Sequence, residues 1–455
     1  MSMNSLFITG ATGFIGQRFL QTIDHTGYQK IYCLIRKEGD AAKAISSIPN
    51  CQMVIGDLKE PSTYTAYLAE GQTVVHLAAA TGKAKREDYF EVNATGTKTL
   101  VEQCERHQVK NFLYLSTIAV TYPDIQRYDY ALSKMVGEDA VKQSCLNYVI
   151  IRPTIVLGRC GKIWNAFYKL ARLPLLVIPG TGDVRIQPID LDDLVMRLRM
   201  ILSQDTFSNQ ILDLGGAEQI TFEAFLRRIH IQMRSCEPRI IHLPLAPILA
   251  ILSLVERYLP NSLPVNSGQL SAFQFDSTAN LQGQFTPPQQ MKSLDRMIGD
   301  LVSAEMEDER RQALNKECEA FSFYLIRQHP NAYIREKYLE AHQANPDLQS
   351  DHRNIFDRFL LALSVKNVRL AKMADSYASI FSRGCLLRKK LVLLLAILES
   401  TTSTFPYFDL PQSGGRVFLL FRTLGQGLLF AAAFIVSTLL FFPINLIGRL
   451  SKQRR

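Results

Sequence analysis

The sequence has no CxxC among its eight cysteines, a single tryptophan (Trp164) in 455 residues and only 20% charged residues. Without close spacing, Cys33, Cys51, Cys104, Cys145, Cys160, Cys236, Cys318 and Cys385 read as reduced thiols of a cytosolic compartment, not as a disulfide frame or a zinc site. His329, His342 and His352 show no metal-ligand spacing; they are expected to face solvent from helices, and no metal is expected. The opening MSMNSLFITG lacks the basic start of a signal peptide, and its short apolar run leads straight into glycines. No segment repeats at a fixed period.

What is present is a chain with 47% hydrophobic residues, which suits about two or three globular domains rather than disorder. The net charge is +9, and residues 386 to 455 hold nine Lys or Arg against Glu399 and Asp409, a local excess of seven. Because long Leu and Phe runs interleave these cations, the expected partner is a membrane surface and not nucleic acid.

Strand-like runs recur through the first 216 residues: SLFITG (5–10), KIYCLIR (30–36), CQMVIGD (51–57), TVVHLAA (73–79), NFLYLS (111–116), YVIIRPT (148–154) and QILDLGG (210–216). Helix-length segments separate most of them, which predicts a parallel sheet covered on both faces. A lid segment is expected at about 155–186, with Trp164 and FYKLARL packing it. A substrate lobe and Pro-containing linker follow at 217–292, and a helical region at 293–422. Residues 240 to 255 are uncharged and hold two prolines; they belong to the substrate lobe or to a surface resting on lipid. LVLLLAIL (391–398) is too short to span a bilayer and reads as a core helix or interfacial segment. Residues 423–448 are 26 positions without a charge, long enough for a single transmembrane helix or for a helix buried in the C-terminal bundle, and 449–455 form a basic tail.

The chemistry begins at TGATGFIG (9–16), where Gly10, Gly13 and Gly16 stand at a strand-to-helix junction. Glycines there let the backbone approach a pyrophosphate, and the helix that starts near Phe14 aims its unsatisfied N–H groups at the charge. Twenty residues beyond Gly16 stands Arg36, followed by Lys37, where an acidic residue would bind a ribose 2′-hydroxyl. The basic pair favours NADP(H) over NAD(H). Tyr130 and Lys134 are four apart and share a helix face, so a cation lies near a phenol that is otherwise a poor proton carrier at neutral pH.

TGATGFIG, GDL (56–58), HLAAA (76–80), VNATGT (92–97), YLST (114–117), YALSK (130–134), RPTIVLG (152–158) and QPIDLDDL (187–194) occur in the order of extended short-chain dehydrogenase/reductases. The chain resembles that family over residues 5 to about 290, and most closely its atypical branch containing the accessory NADPH-binding subunit of respiratory complex I. The resemblance implies a Rossmann domain, doubly wound α/β, over 1–216, with a small substrate lobe. A C-terminal all-α, membrane-associated domain follows that the resemblance does not cover.

The resemblance further implies cofactor contacts from Gly10, Thr12, Gly13, Phe14, Ile15, Gly16, Arg36, Asp57, Leu58, His76, Ala78, Ala79 and Lys134, with Asn93 near the active-site helix. His76 reads equally as an ordinary strand-end residue. Ser116, with Thr117 as its substitute, would hold the substrate oxygen while Tyr130 exchanges a proton and Lys134 supports it. Only 14 residues separate Ser116 from Tyr130, fewer than in sugar-nucleotide epimerases, and members of the complex I-like branch can keep the cofactor without turnover. Two functions are therefore expected. One is an oxidoreductase or epimerase-like enzyme at the cytoplasmic membrane face acting on a small-molecule, apolar or lipid-linked substrate. The other is a non-catalytic NADPH-binding assembly protein of a membrane complex.

Overall fold

The computed structural model describes residues 5–37, 39, 45–258, 267–280, 291–326, 328–345, 348 and 386–399. All seven strand-like runs form strands of one parallel sheet: β1 (Leu6–Thr9), β2 (Ile31–Ile35), β3 (Cys51–Ile55), β4 (Thr73–His76), β5 (Asn111–Leu115), β6 (Asn147–Pro153) and the strand Gln210–Leu214. Their order across the sheet is Gln210–Leu214, β6, β5, β4, β1, β2, β3, the doubly wound Rossmann arrangement. Chain direction across the sheet reverses between β1 and β4, and the carboxyl ends at such a point form the crevice where this fold binds ligands.

The strands read as continuous apolar runs because both faces are covered. Helix α1 (Phe14–Thr22) and the helix Leu191–Ser203 pack Phe19, Leu20, Leu194 and Leu198 onto Leu6, Ile8 and Ile31. On the other face, Leu100, Val101 and Cys104 of the helix Thr97–Arg106 and Val141 of the helix Asp129–Lys142 meet Phe7, Val74 and Phe112. Each fully buried side chain of this size stabilises by about 1.5–3 kcal/mol, so the sheet is held from both sides. Asp190 and Thr221 cap the helices that follow them, each accepting a first-turn backbone N–H.

A second core lies apart from the sheet and draws on both the expected lid segment and the residues after 216. Trp164 is fully buried against Tyr168, and Phe167 packs edge-on to Phe222 and Phe225. Leu294, Met297, Ile298 and Leu301 of the helix Leu294–Ile326 also enter this core.

Two compact units divide the chain, residues 1–305 and 306–455. In the second, Leu314, Cys318 and Phe321 pack with Ile334 and Tyr338 of the helix Ala332–Ala344 and with Leu394 and Leu398 of the helix Leu386–Glu399. LVLLLAIL is therefore part of a core helix. His342 does not face solvent as expected; it is 1% exposed and its Nδ1 meets the Tyr338 carbonyl at 2.9 Å. A side chain able to bond the preceding helical turn and packed on a tyrosine ring can be buried without a charge. His329 is exposed beside the Phe323 ring. The expected transmembrane run 423–448, the basic tail and His352 lie outside the described residues, among which no helix is long and apolar enough to cross a membrane.

Candidate active site

The glycine loop sits where β1 gives way to α1. Gly10 has φ +74°, a left-handed conformation, and a Cβ on it would lie 2.5 Å from the backbone nitrogen of Ala78. A Cβ on Gly16 would collide with the Gly10 carbonyl, so the helix can start this close to the loop only with glycine there. Gly13 is the N-cap of α1 and brings no side chain to its first-turn N–H groups, which leaves those donors for an anion. Gln17 donates to the Thr12 carbonyl at 2.7 Å and steadies the loop from behind.

Buried polar groups fix this loop against β4. The Ala78 N–H donates to Thr9 Oγ1 at 3.2 Å, and Thr9 Oγ1 lies 2.6 Å from His76 Nδ1. His76 Nε2 lies 2.9 Å from Thr97 Oγ1, so each ring nitrogen has a hydroxyl partner in either neutral tautomer. His76 is fully buried, and desolvation, then the nearby Lys134, holds its pKa well below the ordinary value. Both nitrogens are occupied, so His76 acts as a neutral strut. Asn93, in a π-helical stretch (Phe90–Gly96), makes a second clamp. Its amide accepts from Ala80 N at 2.7 Å, donates to Ala80 O at 3.1 Å and donates to Ser133 Oγ at 3.0 Å. It thereby ties the segment after β4 to the helix that carries Tyr130 and Lys134.

On that helix Lys134 is 1% exposed. Its Nζ donates to the Leu115 carbonyl at 2.6 Å and lies 4.0 Å from the centre of the Tyr114 ring, which itself stacks on His76. Burial brings the Lys134 pKa down to about 7, while Glu138, one turn further on, opposes that fall. Tyr130 is enclosed by the rings of Tyr89 (6.1 Å) and Tyr128 (5.8 Å). Its phenol is pushed up to about 12 by burial and then by Tyr89, with a Thr117 hydrogen bond acting the other way. Beneath these groups, Glu138 accepts two hydrogen bonds from Arg152, at 2.8 and 2.6 Å. Burial alone would raise the Glu138 carboxyl, but Arg152, Ser116 and Lys142 hold it low.

The model of the NAD dependent epimerase/dehydratase family matches residues 6–215. A ceramide reductase from Caulobacter vibrioides is 25% identical over 253 residues, covering 55% of this chain and 77% of the reductase. A UDP-glucose 4-epimerase from Vibrio cholerae is 24% identical over 256 residues, covering 50% and 76%. The mitochondrial NADH dehydrogenase (ubiquinone) 1 alpha subcomplex subunit 9 of Dictyostelium discoideum is 20% identical over 225 residues, covering 49% of this chain and 62% of the subunit. Among solved structures, a UDP-glucuronic acid 4-epimerase mutant from Bacillus cereus in complex with NAD and a fluorinated UDP-sugar has the same fold, with TM-score 0.52 at 18% identity over 67% of this chain and 99% of that one.

Within the matched region, the residues picked from sequence gather at the carboxyl ends of β1 to β5. Arg36 follows β2 directly and is exposed, as is Lys37. Asp57 closes the turn after β3, its carboxylate accepting from Lys59 N at 3.0 Å. Leu58 packs in the core with Val54 and Tyr64. Ser116 and Thr117 follow β5 but diverge. Thr117 faces Tyr130 and Ser116 faces Glu138, so the hydroxyl beside the phenol is the one sequence reading ranked second. Glu138, Arg152 and Tyr114 escaped sequence reading altogether. The available signal was spacing: Glu138 is one helical turn beyond Lys134, and a glutamate buried there needs a basic partner such as the arginine of RPTIVLG.

Proposed function

We propose that the protein is an NAD(P)-dependent oxidoreductase of the epimerase/dehydratase kind, working at the cytoplasmic face of a membrane on an apolar or lipid-linked substrate. The observation that carries this reading is the grouping of Tyr130, Thr117 and Lys134, joined through Asn93 and Ala80 to the segment on which Gly10 packs. The loop fits a dinucleotide, since a Cβ at Gly10 would fill the space against Ala78 and the first turn of α1 has no side-chain cap. When bound, the nicotinamide supplies a hydride acceptor or donor.

Thr12 to Gly16 would hold the pyrophosphate, Arg36 the 2′-phosphate of NADP, Asp57 the adenine end, and Ala78 and Ala79 the path between. Tyr130 gives or takes the proton at the substrate oxygen, and Thr117 orients that oxygen by a hydrogen bond, with Ser116 beside it. Lys134 would hold a nicotinamide ribose hydroxyl and, when charged, lowers the cost of ionising Tyr130. Glu138 is what favours that charged form. The likeness to a ceramide reductase, together with the 26-residue uncharged run, supports an apolar or lipid-linked substrate and a membrane location.

Replacing Tyr130→Phe is expected to lower turnover by about 100-fold or more while NADPH binding, followed by nucleotide fluorescence, is unchanged; full activity in the variant overturns the assignment. A second reading, a non-catalytic NADPH-binding assembly protein of a membrane complex, is favoured by the likeness to the NADH dehydrogenase subunit and by the short connection from Ser116 to Tyr130. It requires tightly retained NADPH, no hydride exchange with any carbonyl or sugar tested, and a stable partner in membrane pull-downs.

A further inference from the structure

The strands Leu175–Pro179 and Arg239–Leu243 pair in parallel as a separate two-stranded ribbon, with Arg239 opposite Leu175, Ile241 opposite Val177 and Leu243 opposite Pro179. Side chains alternate along a strand, so these six share one face. The opposite face is accounted for, because Leu176 and Ile178 are fully buried in the second core. The outward face should be polar if it met only water. It holds Leu175, Val177, Pro179, Ile241 and Leu243 instead, with Ile241 45% and Leu243 40% exposed. Leu173, two residues before the ribbon, is 44% exposed, and Ile251 of the following helix Leu245–Tyr258 is 62% exposed.

Charge decides the occupant. At the end of the ribbon where both strands begin, Arg239 is exposed, as are Arg172 and Arg234, whose guanidinium bonds the Arg172 carbonyl at 2.8 Å. Glu237 pairs with Arg227 at 2.6 Å, and Glu223 bonds His242 of the ribbon at 2.7 Å. An apolar face bordered by three arginines at one end matches the headgroup and upper acyl region of an anionic bilayer.

We infer that this ribbon and the helix after it rest on an anionic lipid surface, as a contact separate from the C-terminal apolar run. The inference deepens the membrane-face reading and is independent of the hydride chemistry. The test uses the full chain reconstituted with vesicles, carrying Ile241→Trp as a reporter. Native Trp164 is fully buried and serves as a silent background, and Ile55→Trp, at a site 56% exposed at the end of β3, is the control.

With vesicles containing brominated lipid and about 30% phosphatidylglycerol, Ile241→Trp emission is expected to be quenched at least three times more than that of Ile55→Trp. The difference is expected to disappear in pure phosphatidylcholine, and also when Arg172, Arg234 and Arg239 are all changed to Glu. Equal quenching at both reporters overturns the inference. So does shielding of Ile241→Trp by self-association without vesicles, which would assign the face to a second copy. NADPH binding measured on the same samples separates the two readings, since retained binding without quenching would sink the lipid contact and leave the oxidoreductase intact.

Discussion

Buried charge occurs in both compact units, but it is spent differently. In the first, Lys134, Glu138 and Arg152 lie under the carboxyl ends of β4 to β6, and Lys134 reaches the Leu115 carbonyl and the Tyr114 ring. In the second, Lys390 meets Glu317 at 2.9 Å, and Tyr338 Oη donates to the same carboxylate at 2.9 Å. That cluster joins three helices, Leu294–Ile326, Ala332–Ala344 and Leu386–Glu399, and His342, held neutral by burial, packs on Tyr338. Both clusters cost desolvation, and neither is explained by stability alone. What separates them is position, since only the first borders a crevice where strands end.

The sharpest way to break this comparison is to cut both clusters. Glu138→Ala and Glu317→Ala each leave a buried cation without its main partner and are expected to destabilise by about 3 kcal/mol or more, read from urea unfolding. Apolar double replacements then distinguish them. Glu317→Leu with Lys390→Leu is expected to return to near-parent stability with turnover and NADPH binding unchanged. Glu138→Leu with Arg152→Leu is expected to recover stability but to keep turnover about tenfold or more below the parent, because Lys134 has lost its anion. Equal effects on turnover would erase the distinction.

Next in size, Gly10→Ala forces a Cβ onto the Ala78 backbone at a left-handed φ. It is expected to cost about 1–3 kcal/mol of stability, and NADPH affinity measured on the folded variant is expected to fall at least about tenfold. No glycine in the second unit is expected to matter to the nucleotide.

The pH dependence is smaller and has a definite sign. The Lys134 pKa in the fold, about 7, lies below that of the unfolded chain, about 10.4. Between those values the unfolded state binds more protons, so stability rises with pH across that window. Compared with Lys134→Met, the parent is expected to gain stability from pH 7 to 10 by at most about 1.4 kcal/mol per pH unit, measured by denaturant titration. A parallel pair of curves would mean that Lys134 is not desolvated.

The smallest effect concerns Arg36. Removing this exposed side chain by Arg36→Ala is expected to leave stability unchanged and to reduce the preference for NADPH over NADH by about tenfold, the size of one charge-assisted hydrogen bond. An unchanged preference would mean that Arg36 does not read the 2′-phosphate.

The sheet was legible because strands buried on both faces are continuous apolar runs, and each run named from sequence became a strand with its ends within three residues. The glycine loop was legible because its spacing answers to backbone sterics. The buried state of His342 was not, since a histidine on a helix gives no sign of which face is covered until the neighbouring helix is known. The split between Ser116 and Thr117 was equally hidden, because adjacent residues after a strand point to opposite sides and only the packed helix says which side holds Tyr130. The apolar outer face of the ribbon at 175–179 and 239–243 was foreshadowed by the uncharged stretch from 240, but its partner strand lies some 60 residues away in sequence.

The chain of hydrogen bonds from Ala78 through Thr9 and His76 to Thr97 has a consequence for sequence drift. Each member is bonded to the next, so replacing one affects its neighbours: a valine at Thr9 leaves a buried ring nitrogen and the Ala78 N–H without partners, and an apolar residue at His76 removes one partner from each of the two hydroxyls. These positions are epistatic. Among descendants of this sequence they are expected to change as a set, and a variant altered at two of them to be less impaired than the sum of its single changes.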